Sequence, residues 1–251
     1  MKIKYLLGLV MLGTLSIPQI ALACDDCWGA VGIKDWISTF SPGGGMATTE
    51  AAVPMLTATI GYDKIFTSFS YNMPYRYSDP SYPFGSDAHT QLTFNLGYLI
   101  NPEIFLALGY KREADDFRKN NTGGTSDHST KVFYPTIGAS YSHTFTDSPY
   151  SMNGSIAYGK GTLTGSSSSP NAQANNVYVG TLSGSSTYLS YEVGAGYSWS
   201  RNVKLNLGYR VEQYDQLMPT AVAQSGLVTT FTLAKQKVML SGLIAGFVLA
   251  Y

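Results

Sequence analysis

Charge, long apolar runs and cysteine are all scarce in this chain. Asp, Glu, Lys and Arg make up 13% of 251 residues, against roughly 25% in soluble domains. Net charge is zero and moves by only two units if Lys2 and Lys4 are removed with a leader. Neither value suggests nucleic acid or a strongly anionic partner. Nothing after residue 23 approaches some 18 consecutive apolar residues, which excludes a spanning helix. The two cysteines and three histidines form no metal-ligand cluster, and no phosphate-binding glycine motif appears.

What is present begins with an export signal. Lys2 and Lys4 give a positive start, Tyr5 to Ile17 an apolar stretch, and Ala21-Leu22-Ala23 a small-residue cleavage site. Removing residues 1–23 leaves enough chain for one sizeable domain. Cys24 and Cys27 follow at once. For lipidation of Cys24, Ala21 stands where Leu is usual, and Asp25 resembles a signal that retains lipoproteins in the inner membrane. A c-type haem site needs His after the second cysteine, where Trp28 stands. The plainer reading is a small disulfide, or a free thiol pair, in an oxidising compartment.

From Val53 onward, alternating segments pair through very short turns: 55–62 with 64–75, 90–100 with 103–113, 131–143 with 150–160, and 187–199 with 203–214. Between the pairs lie long polar stretches (76–88, 114–130, 161–186 and 215–236), several rich in turn-forming residues, which read as loops. With the closing segment 237–251 this makes nine strands, and bacterial single-chain barrels have even numbers. Residues 28–40 are the candidate tenth, although Lys34-Asp35-Trp36-Ile37 reads equally as a short helix. In that case 55–62 falls outside the barrel and eight strands remain. Pairing of 176–182 within its loop gives twelve. Ten is the expectation.

In 90–100, Leu92, Phe94, Leu96, Tyr98 and Ile100 oppose Gln91, Thr93, Asn95 and Gly97. A soluble barrel alternates too, so the aromatics decide. Assigning each strand a direction from its turn puts Tyr62, Tyr98, Tyr141, Tyr150, Tyr197, Trp199 and Tyr251 near the turn ends. Tyr71, Tyr110, Tyr158 and Tyr209 fall toward the other ends. The eight steps from Tyr150 to Tyr158 span roughly 26 Å of strand, or about 20 Å once tilted, close to the ~25 Å between the aromatic girdles of a membrane barrel.

The closing segment adds a second signal. Leu243, Ala245, Phe247, Leu249 and Tyr251 share one face, and Gly242, Ile244, Gly246 and Val248 the other. A terminal aromatic with apolar residues at every second position before it resembles the assembly signal of bacterial outer-membrane β-barrels. Tyr251, Leu249, Phe247 and Gly246 carry that resemblance, while Ile244 stands where a polar residue is usual. It covers 64–251 well and 24–62 less closely, and is to the class rather than to one family. It implies a cell outer-membrane location, with outer-membrane lipid and the barrel-assembly machinery as partners. The expected fold is all-β: an antiparallel up-and-down transmembrane β-barrel with short periplasmic turns and long extracellular loops. Residues 1–23 are the leader, 24–52 an N-terminal segment (a first strand, or a lumen or periplasmic piece), and 53–251 the barrel.

The polar faces carry few charges: Lys111 and Glu113, Glu192, then Lys204, Arg210 and Glu212. The turn at Arg201-Asn202 sets Glu192 opposite Arg210 or one step diagonal. Such a pair either gates ions or simply neutralises two enclosed charges. Catalysis is not expected: Asp87–His89 and Asp127–His128 are short-range pairs without a placed third group, and His143 lies by a turn. No cofactor or metal is expected. Two functions follow. The first is a small porin-like channel or transporter for small solutes. The second is a closed structural or surface-interaction barrel, plugged by side chains and by 24–40. Tyr75, Tyr77, Tyr82, Phe84 and Tyr178 would then be loop aromatics available to a partner.

Overall fold

The computed structural model describes residues 26–42, 49–76, 85–121, 124–171, 176–222 and 230–250. Residues 1–25, which include Cys24, and Tyr77, Tyr82, Phe84 and Tyr251 lie outside them. There are ten strands: β1 (Cys27–Pro42), β2 (Thr49–Tyr62), β3 (Ile65–Arg76), β4 (Gly85–Leu99), β5 (Ile104–Asn121), β6 (Gly124–Thr144), β7 (Tyr150–Asn171), β8 (Asn176–Ser198), β9 (Val203–Val222) and β10 (Thr230–Ala250). Each pairs antiparallel with its sequence neighbours, and β1 pairs with β10 to close the barrel. Closure leaves no unpaired edge, the condition for crossing a bilayer with strands.

The segment at 34–37 is strand, not helix. Its weak alternation has a physical source. Lys34, Trp36 and Ser38 face the lumen, where polar groups are tolerated, and the acidic Asp35 interrupts an outward row of Val31, Ile33 and Ile37. The barrel therefore begins at Cys27, inside the segment set apart as 24–52, and β2 begins at Thr49.

The polar stretches read as long loops are largely strand. Pairing continues to Asn121↔Gly124, Asn171↔Asn176 and Thr230↔Val222. Residues 176–182 do pair, with 165–171, but as an extension of β8, so the count stays at ten. Beyond the apolar band both faces of a hairpin meet water. Apolar alternation then disappears while the backbone ladder persists. At the opposite end the turns are short, as read. Asp63 and Asp147 adopt positive φ of 49° and 56°, a conformation that Asp tolerates better than most residues. The Asn101 side chain accepts from the amides of Glu103 and Ile104 at 2.9 and 2.8 Å.

The outward face is apolar and open. Leu108, Val193, Leu207 and Ile137 are each about 60% exposed or more. The tyrosines assigned to the two girdles bracket them, with Tyr62, Tyr98, Tyr150 and Trp199 at one level and Tyr110, Tyr158 and Tyr209 at the other. The buried core lies inside the ring, not between layers.

Candidate functional site

The strand register decides which side chains meet in the lumen. Counting from Gly97↔Ala107 and Lys111↔Tyr134, the inward set includes Gln91 on β4, Lys111 and Glu113 on β5, and Tyr134 on β6. Tyr188 on β8, Arg210, Glu212 and Tyr214 on β9, and Leu240 on β10 follow from the same register. Trp36 on β1 and Val53 and Met55 on β2 complete it. Lys111, Glu113, Glu212, Trp36, Tyr134, Tyr214, Leu240 and Val53 are all within 2% of full burial. Together they form a buried cluster that crosses the lumen between β5 and β9.

At its centre is Glu212. One carboxylate oxygen receives Lys111 Nζ at 2.9 Å and Gln91 Nε2 at 3.1 Å, together with the Tyr214 hydroxyl. The other receives an Arg210 guanidinium nitrogen at 3.0 Å and the Tyr188 hydroxyl at 3.3 Å. Lys111 also reaches Glu113 at 3.2 Å and the Tyr214 oxygen at 2.8 Å, and sits 4.0 Å from the centre of the Tyr188 ring. Arg210 lies over the Trp36 ring at 5.4 Å. Buried charges persist only when paired and hydrogen-bonded; here each has at least two partners, while Glu113 Oε2 and Arg210 Nε make no hydrogen bond among the described residues. Tyr134, Tyr188 and Tyr214 pack as a trio, with ring centres 5.3 to 6.2 Å apart, and Tyr134 bonds Ser186 at 2.7 Å.

Glu192 and Arg210 are direct register partners, as one of the two sequence alternatives had it. Their contact is loose at 3.9 Å, because Arg210 turns to Glu212. Glu192 is shared with Lys34 at 3.6 Å. Lys204 stays out of the cluster, near the β8–β9 turn. Below, the inward positions are small, and Gly194, Gly208 and Gly246 leave a slight recess beside Lys34, Glu192, Asn153 and Asn206. Above, His89 bonds Asp115 directly across the β4–β5 ladder. Its other ring nitrogen is 3.0 Å from Gln91 Nε2, and Tyr75 packs on the ring at 5.1 Å. Tyr75, read as a loop aromatic, is thus a lumen residue, 4% exposed. His143 pairs with Glu103 at 2.7 Å by the turns.

Sequence reasoning missed Trp36, Gln91 and the tyrosine trio. The available signal was parity: Tyr134, Tyr188 and Tyr214 sit on the polar face of their strands, where an aromatic has no lipid to meet. Cys27 is disulfide-bonded, whereas Cys24 lies outside the described residues. Leu249, Phe247 and Gly246 belong to β10, whose seam with β1 runs from Ala250↔Ala30 to Val238↔Pro42. No group of three or more His, Cys, Asp or Glu able to hold a metal occurs among the described residues.

No protein-family model and no curated protein matches the chain. Solved structures do. The outer membrane protease OmpT of Escherichia coli superposes with a TM-score of 0.58 at 13% identity, covering 91% of this chain and 98% of that one. The translocator domain of the autotransporter NalP of Neisseria meningitidis gives 0.50 at 11%, covering 98% and 97%. At such identities the likeness is one of fold: the chain has the closed-barrel fold of bacterial outer-membrane proteins.

Proposed function

We propose that this is an outer-membrane barrel with a closed lumen, whose work is done by the paired-strand hairpins it holds clear of the bilayer. The observation that carries the reading is the plug around Glu212. Separating one partner from a buried ion pair costs about 3–5 kcal/mol, and a through-path requires several such separations together with displacement of the tyrosine trio. Spontaneous opening is therefore rare. The open apolar band between two aromatic levels supports insertion in the outer membrane. The extension of β5 to β10 beyond that band supports a surface-interaction role over a purely structural one, since a barrel that only spans needs no such length.

Proteolysis is not extended to this chain. His89 is 7% exposed and is held between Tyr75, Gln91 and Asp115, where a polypeptide has no approach. The experiment is sugar efflux from proteoliposomes carrying heat-modifiable, folded protein. Efflux equal to protein-free vesicles agrees with the closed barrel. Efflux above that level favours the small-solute channel, gated at the plug.

A further inference from the structure

We infer that the outward face of β5–β7 binds the phosphates of an anionic lipid in the outer leaflet. This rests on the membrane reading above. Among the residues whose side chains are described, four cations point outward from the strands: Arg112, Lys131, Lys160 and Lys237. Three of them fall on the adjacent strands β5, β6 and β7, and all three are exposed. Their height is set by the girdle. Arg112 is two residues beyond Tyr110 on the same face of β5, and Lys160 is two residues beyond Tyr158 on β7. Lys131 is the register partner of Ala114, two residues further out than Arg112. From strand spacing and rise, their Cα atoms lie about 8 to 14 Å apart, within reach of one bisphosphorylated headgroup by long side chains.

The chemistry of the patch fits a lipid better than a free anion. None of the three cations has an ion pair among the described residues, so each keeps its charge for a ligand. Among the residues of these strands whose side chains are described, the lone outward carboxylate is Asp116, four residues beyond Arg112. Between and below the cations lies an apolar platform. Phe133 packs on Tyr110 with ring centres 5.7 Å apart and carries the Arg112 guanidinium 5.9 Å above its ring. Pro135 interrupts the β6–β7 ladder between Phe133↔Thr162 and Thr136↔Gly159, leaving a flat, donor-free surface for an acyl chain. Cations above and apolar rings below are what a phosphorylated lipid presents in reverse.

The test uses the full mature chain in phosphatidylcholine vesicles, with and without bisphosphorylated lipid A, and reads the temperature at which the folded gel band is lost. Lipid A should raise that temperature for the native protein. The Arg112→Gln/Lys131→Gln/Lys160→Gln variant should bind lipid A about a hundredfold more weakly at low salt, as expected for losing three surface cations. Lys237→Gln should behave as native, and inorganic phosphate alone should do nothing. An equal rise in native and triple variant overturns the site, as does a rise produced by inorganic phosphate. Native protein that inserts and folds yet ignores lipid A sinks this inference alone. Native protein that fails to insert into any vesicle overturns the membrane reading as well.

Discussion

Lys111 Nζ and Glu212 Oε2 meet at 2.9 Å from strands four places apart in the ring, 101 residues apart in sequence. The contact joins opposite walls of the barrel at a level where neither side chain meets solvent. It acts as a crosslink as well as a neutralised pair, and Gln91, Tyr188, Tyr214 and Arg210 converge on it.

Removing one side of that pair should be costly. Glu212→Leu leaves Lys111 with Glu113 alone and Arg210 with the distant Glu192. It should lower unfolding stability in detergent by about 3–5 kcal/mol. Lys111→Met combined with Glu212→Leu should cost less than the two single changes added together, because the contact that each single change breaks is then lost only once, although Glu113 is left without its cation. Urea unfolding followed by tryptophan fluorescence reads both. A double variant no better than the sum of the single ones would show that the pair is not coupled.

The outward face was legible in the sequence because lipid makes one demand at every second position. Leu92, Phe94, Leu96 and Tyr98 answer it wherever they sit. The lumen makes no such uniform demand. Whether Tyr188 belongs beside Tyr214 depends on register, and whether Lys111 meets Glu212 depends on two strands that never touch. Of the charges named from sequence, Glu192, Arg210, Glu212, Lys111 and Glu113 are joined in one network and Lys204 is not. The hairpin extensions were illegible for a third reason: in water their two faces are equivalent, so the Ser-rich run at 165–169 looks the same in a loop as in a strand.

At the turn end of the lumen, a hydrogen atom is all that fits at Gly97. A Cβ there would lie 2.0 Å from the Phe66 ring, which is hemmed in by Trp28 and Phe105 at 5.9 Å each. Gly97→Ala should cost about 1–3 kcal/mol by overpacking, and Phe66→Leu in the same chain should restore most of it. Loss of folded protein in both would place the defect in the backbone rather than in the ring contact.

Asp35 points outward into the apolar band between Pro54 and Ala245, with one carboxylate oxygen lacking a partner among the described residues. A lipid-facing charge is unfavourable, so Asp35→Leu should raise stability, on the order of 1 kcal/mol, measured as a higher temperature for loss of the folded gel band. A fall instead would mean that Asp35 has a partner in the membrane.

The closed lumen is tested most directly in planar bilayers, by comparing the native protein with Lys111→Ala/Tyr134→Ala/Tyr214→Ala. That variant removes one charge and two rings from the plug and leaves every outward residue in place. Both proteins must first show the folded gel band. The native protein should show no conductance steps above the detergent blank, and the variant discrete, stable steps. Discrete steps from the native protein, matching those of the variant, would contradict it.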